Sequence, residues 1–172
     1  YIGRRENWGK YDWDKIQITD HQKSLIQVNH NIIEAIAEGV MSGSLEEILD
    51  TKINRLAVFR PSLSNQEIMG VMQTIHSYLG NQYDFSFDFN DAESQVCTEV
   101  IYRGYNEIGN IQFGLSKRAG TLNLSAEDVC RYAINSGNME LVTLIVEDEY
   151  RKGKTRFVSP ENGVEIILAL MN

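Results

Sequence analysis

The sequence predicts an α+β fold. Two serine-led capping boxes, Ser44–Glu47 and Ser64–Glu67, open helices, whereas the apolar runs Leu56–Phe59 and Leu141–Val146 have the length of strands. The two kinds come in mixed order rather than in a regular strand–helix alternation. Between Tyr83 and Phe89 the aromatics Tyr83, Phe85, Phe87 and Phe89 alternate with Asp84, Ser86 and Asp88, the period of a half-buried strand.

Taken in order, the chain opens on a polar stretch to about Lys23 that carries Trp8, Tyr11 and Trp13 and reads as a long loop. Leu25, Ile26 and Val28, then Ile32, Ile33, Ala35 and Ile36, read as strands broken by a turn at Asn29–Asn31. The first capping box starts a short helix to Asp50. A strand over Leu56–Phe59 follows, ended by Pro61. The second box starts a helix with Ile68, Val71, Met72, Ile75 and Leu79 on one face, stopped by Gly80. Helices are predicted over Gln95–Asn106 and from Ser125 to Ser136, with an irregular region between Gly109 and Gly120. Leu141–Val146 is a strand candidate, and Ser159-Pro160 opens a terminal helix.

The 172 residues fit one domain with a substantial core, and 42% hydrophobic with 23% charged residues is ordinary globular composition. A formal net charge of −8 excludes a nucleic-acid backbone as the expected partner. The basic cluster Arg151–Lys154 with Arg156 reads as a solvated turn. No apolar run spans a bilayer, which takes roughly 20 residues. Cys97 and Cys130 do not make a disulfide framework. No zinc-ligand spacing appears, and Asp84–Gln95 fails as a calcium loop because Phe89 stands where glycine is needed and Gln95 where glutamate is. No cofactor or metal is expected.

Cys97 is the residue most open to chemistry. With Ser94 as cap it falls in the first turn of its helix, where free N–H groups and the helix dipole favour a thiolate. The alternative is a small buried apolar residue. Of the histidines, His76 sits beside Ile75 within a helix and reads as structural, His21 lies in the loop, and His30 lies in the turn before Glu34.

Tyr83-Asp84-Phe85-Ser86-Phe87-Asp88 followed by Cys97-Thr98-Glu99-Val100-Ile101-Tyr102 resembles the circularly permuted papain-like amidases, the YaeF/YiiX-type branch of the NlpC superfamily. Tyr1-Ile2-Gly3, Ile32–Ala35 with Glu38–Val40, Arg55–Arg60 and Leu79-Gly80 resemble further family segments in the right order. The likeness covers about the first two-thirds of the chain. It implies one papain-like domain over 1–172, of which 1–108 resembles the family and 109–172 is a variable extension. It also implies an antiparallel sheet packed on the nucleophile helix.

By the same resemblance Cys97 is the nucleophile of a thiol hydrolase that cleaves an amide or ester through an acyl-cysteine. Glu34 orients the base, and Tyr83 assists at the oxyanion. Glu99 anchors the helix by a hydrogen bond. The family's catalytic His lies a few residues before the position of Tyr1, so the base is expected upstream of this chain. From pattern alone, Glu34 also fits a solvent-facing strand position and Tyr83 a core aromatic. The implied substrate is a small amide, a peptide or a lipid-linked molecule. Two rival readings are a non-catalytic ligand- or peptide-binding module that keeps the groove, and an acyltransferase.

Overall fold

The computed structural model describes residues 15–51, 53–91, 93–118, 120–148, 151 and 153–171. The readings made above of Tyr1–Gly3, Trp8, Tyr11 and Trp13 lie outside them. Helices and small, mostly antiparallel sheets coexist, as an α+β chain requires. The chain divides into two compact units, the first formed by 1–45 and 63–125 and the second by 46–62 and 126–172.

In the first unit, Thr19 caps helix α1 (Asp20–Ser24) through a reciprocal box with Gln22. The next apolar residues, Leu25 and Ile26, form turns and no strand; Leu25 N–H donates to Gln22 and Ile26 N–H to Lys23. Strands β1 (Ile32–Ile36) and β2 (Gly39–Gly43) form an antiparallel hairpin, so the reversal falls at Ala37-Glu38 and not at Asn29–Asn31. The asparagine-rich segment does a different job: Asn31 Oδ1 accepts from the N–H of Leu45, at the start of helix α2 (Leu45–Asp50), at 2.8 Å.

Strand β3 (Arg55–Pro61) belongs to the second unit. Helix α3 (Asn65–Ser77) opens on the expected box, with Ser64 Oγ accepting the Glu67 N–H and the Glu67 carboxylate accepting the Ser64 N–H. Its inward face supplies Val71 and Ile75 to a core that includes Ile33, Ala35, Val40, Leu79 and Val100. Gly80, at φ 89°, turns the chain after α3, and its N–H donates to Val40 O at 2.9 Å. Val40 N–H returns a bond to Asn81 O at 2.9 Å. Gly39 is obligatory here, because a Cβ would sit 2.5 Å from the Asn81 carbonyl oxygen.

Strands β4 (Gln82–Tyr83) and β5 (Ser94–Gln95) then pair in parallel and lead directly into helix α4 (Cys97–Tyr105). Helix α4 lies on α3 at close range: a Cβ on Gly104 would come within 2.8 Å of Ile75 Cγ1. The region from Gly109, expected to be irregular, carries buried Ile111 and Phe113 and then a short hairpin, β6 (Ser116–Arg118) and β7 (Thr121–Asn123).

In the second unit β3 pairs with β8 (Met139–Glu147), and β8 with β9 (Thr155–Val158). Helices α5 (Ala126–Asn135) and α6 (Pro160–Leu170) complete it, around Leu141, Leu144, Val146, Val158 and Ile167. The run Arg55–Arg60 is thus a strand, as expected, but its partner is β8 rather than the β1–β2 hairpin. Ala57 and Phe59 join the core that β8 and α6 build. Basic Arg156 belongs to β9 instead of a turn. A cavity of about 810 Å³ in this unit is lined by residues such as Ile53, Arg55, Val146 and Leu170 and by none of the candidate catalytic residues.

Gly104 provides the test of the α3–α4 contact. Gly104→Ala gains about 1 kcal/mol of helix propensity but forces Ile75, which is 1% exposed, out of its place. The overlap outweighs the propensity, so the variant should lose roughly 1–2 kcal/mol in urea unfolding; equal or greater stability would show that the two helices have room to spare.

Candidate functional site

Helix α4 begins at Cys97. Val96, at φ −90° and ψ 165°, occupies the cap position and Cys97 the first helical one. Ser94, the cap expected from sequence, is drawn off in two ways. It pairs in β5 with Gln82, and its hydroxyl donates to Asp91 Oδ2 at 2.8 Å. Cys97 therefore lies at the very start of the helix, beside its free N–H groups, and its thiol is exposed. The other cysteine, Cys130, is half-buried, and burial pushes its thiol up.

Valine has no capping side chain, and Glu99 makes up for it. Its carboxylate is fully buried, and Oε2 accepts the Val96 N–H at 3.4 Å. Oε1 takes the Arg103 guanidinium at 2.6 and 2.7 Å, across one helical turn. Arg103 Nη2 also reaches out of the helix, donating to the carbonyls of Phe89 at 3.0 Å and Asp91 at 2.8 Å. The anchoring role expected of Glu99 is present, and Arg103, not singled out from sequence, extends it to the preceding loop. The Glu99–Arg103 spacing of four was the signal available in the sequence.

That loop is not the strand its alternation predicts. Only Gln82 and Tyr83 are strand; from Asp84 the chain leaves the ladder. The buried Asp84 carboxylate collects the N–H of Ser86 at 2.7 Å, the Ser86 hydroxyl at 2.5 Å and the N–H of Asp88 at 2.6 Å. Local side-chain acceptors have displaced the sheet partners that the backbone would otherwise seek. Gln95, also fully buried, accepts from Asn81 Nδ2 at 2.9 Å, which fixes the two-residue β4–β5 ladder.

Tyr83 pairs with Gln95, two residues before Cys97. Its phenol is pushed up first by burial, then by negative charge on Cys97, then by Asp84. The phenol therefore stays a protonated donor. The structure places Tyr83 on the strand paired with β5, which leads into Cys97, and Glu34 on β1. Glu34 is half-buried on β1, opposite Met41. Its neighbours Ile33 and Ala35 enter the core with Val100, so its carboxylate is carried on the other face of the hairpin. There Oε1 lies beside Gly43, 3.1 Å from where a Cβ would stand.

Two of the chain's three histidines, His30 and His76, are hydrogen-bonded elsewhere. His76 is buried in α3 with Nδ1 on the Met72 carbonyl at 2.7 Å, and burial holds its imidazole below the usual range. His30 Nδ1 meets Ser42 Oγ at 2.6 Å, and the His21 ring packs beside Gly80. Among the described residues no three His, Cys, Asp or Glu side chains converge on a metal site, and no helix is long and apolar enough to cross a membrane.

The family model described as "Permuted papain-like amidase enzyme, YaeF/YiiX, C92 family" matches residues 4–158. An uncharacterized protein of Escherichia coli (strain K12), YiiX, is 33% identical over 67 residues, 39% of this chain. That match spans 33%, about a third, of the relative's length. No solved structure matches.

The buried carboxylate of Glu99 is testable through pH. Burial raises its pKa more than Arg103 lowers it, so the folded state holds this proton more tightly than the unfolded chain, whose ordinary value is 4.5. The stability it contributes is present below that value and lost as pH rises through the folded pKa. Wild type should therefore lose ground against Glu99→Gln as pH is raised from about 4 towards 7 in parallel thermal melts. A difference that stays flat, or moves the other way, would mean that Arg103 dominates the site.

Proposed function

The chain belongs to the permuted papain-like amidases, and from that premise we propose that Cys97 is the nucleophile of an amide- or ester-cleaving hydrolase. The supporting observation is the exposed thiol at the first residue of α4, with Tyr83 on the strand paired to the residues that lead into it. In the proposed reaction the sulfur attacks the carbonyl carbon. The oxyanion draws on the Tyr83 hydroxyl and on backbone N–H groups at the start of α4. Collapse expels the amine or alcohol and leaves an acyl-cysteine. Water then attacks the thioester, releasing the acid and regenerating the thiol.

An imidazole is the proposed base, and it is proposed from outside the three in this sequence, of which His76 and His30 are hydrogen-bonded elsewhere and His21 lies near Gly80. Among the described residues β1 pairs only with β2. Its other edge is the proposed place for a strand carrying the base, and Glu34 on β1 is the proposed orienting residue. That assignment rests on strand position, because the Glu34 carboxylate faces away from Val100. The engagement of His30 and His76 also favours a second reading, a binding module that keeps the groove without turnover.

Full-length protein incubated with p-nitrophenyl acetate should release nitrophenol and show an acetyl adduct at Cys97 by mass spectrometry. Cys97→Ser should lose both while melting within about 0.5 kcal/mol of wild type, since its side chain is exposed. Activity that survives in Cys97→Ser would overturn the assignment, and an adduct that never turns over selects the binding module.

Glu34→Gln should slow turnover by ~10²-fold and change the pH profile of kcat/KM, because an imidazole without its carboxylate titrates lower. Normal turnover with a normal profile would place the orienting group on another residue.

A further inference from the structure

The three-stranded sheet of the second unit turns one face to α6, and the chemistry of that face changes along the strands. Ala57, Leu144 and Val158 stand in one row across β3, β8 and β9, and all three join the core. Two residues along, the next row on the same face is Arg55, Val146 and Arg156. Adjacent strands lie about 4.8 Å apart, so the backbones of the two arginines stand roughly 10 Å from each other, on either side of Val146. Val146 is buried and both arginines are exposed. Neither guanidinium has a hydrogen bond or ion pair with any described residue.

The cavity of about 810 Å³ opens on this row, and its volume is that of a small-molecule site. Val146, Ile166 and Leu170 give it an apolar wall, the last two a helical turn apart on α6, and Ile53 extends it. Among the described residues that line it, Glu147 is the one acid, and its Oε1 accepts the Gly153 N–H at 3.3 Å. Two guanidiniums against one carboxylate leave a single positive charge, the complement of a monoanion. The carbonyl end of α6 adds negative potential nearby, and Arg131, 3.4 Å from the Met171 carbonyl, offsets it. A planar carboxylate matches the fork of a guanidinium, and its hydrocarbon part matches the wall beside it.

We propose that this cavity binds a small organic monocarboxylate. Its carboxylate is held between Arg55 and Arg156, and its apolar body lies on Val146, Ile166 and Leu170. None of the residues proposed for catalysis lines the cavity, so the second unit carries a ligand site of its own.

The test titrates full-length protein, with labelled Ile, Leu and Val methyl groups followed by NMR, with naphthylacetate, a single carboxylate on an apolar ring system. Shifts should concentrate at Ile53, Val146, Ile166 and Leu170 and saturate with a Kd of about 1 mM, ordinary for a ligand of this size. Naphthylethanol, with the same rings and no charge, should bind about tenfold more weakly. Arg55→Gln and Arg156→Gln should each weaken the acid by about tenfold and leave binding of the alcohol nearly as it was. Both side chains are exposed, so the variants should keep the wild-type methyl spectrum away from the cavity. Arg60→Gln, at an exposed residue of β3 outside the cavity, should change neither ligand's affinity.

No shift at these methyls well above the expected Kd, equal binding of alcohol and acid, or affinity that survives in Arg55→Gln/Arg156→Gln overturns the site. Shifts confined to the first unit would mark the acid as a ligand of that unit and overturn it equally. Tighter binding of naphthylmethylphosphonate, a dianion in mildly alkaline buffer, overturns the assignment of a monoanion.

Discussion

The site is built outward from the buried carboxylate of Glu99. A carboxylate removed from water is costly unless its oxygens are met, and here one oxygen takes a backbone N–H of the helix start while the other takes a guanidinium. Because Arg103 still has donors to spare, the charge needed to balance Glu99 also binds two carbonyls of the preceding loop. One pair therefore settles three things together: where α4 begins, how the segment before it lies, and which way the residue between them, Cys97, is presented. Truncating either partner would leave the other half-satisfied and release the loop with it.

Much of this scaffold was legible in the sequence. The Ser64–Glu67 box gave the start of α3, and the apolar face through Val71 and Ile75 gave its burial, because helix caps and helical periodicity are local properties. Elements whose partners are distant were harder. The run at Arg55–Arg60 is strand-like by composition, yet nothing within it says that β8 completes its ladder. The strand at Thr155–Val158 was hidden behind a basic cluster, whose charges are tolerated on an exposed edge strand.

The misleading stretch was the one that precedes Cys97. From Tyr83 to Phe89 the alternation is regular, but Asp84 supplies acceptors that win the backbone of Ser86 and Asp88 away from any sheet. The aromatics then point where the loop sends them and not where the pattern would. The helix cap moved for a related reason: Ser94 was claimed by Asp91 and by β4, which left the start of α4 to a valine and a glutamate three residues on. Cys97, Glu99 and Tyr83 could be singled out from the chain alone, whereas the role of Arg103 becomes visible only once its two loop carbonyls are in place.

The β4–β5 pairing has a consequence for how such a protein can diversify. Two residues on each side, Gln82 with Ser94 and Tyr83 with Gln95, pinch the loop shut at its base, and the buried Gln95 is secured from outside the loop by Asn81. Closure entropy rises only slowly with the length of what is enclosed, by about 0.6 kcal/mol per doubling. Segments of other sizes and compositions can thus be exchanged above the pinch while the tyrosine and the cysteine below it keep their places. The base works as a socket and the loop as an interchangeable head, whose length and composition can change without moving the strands beneath it.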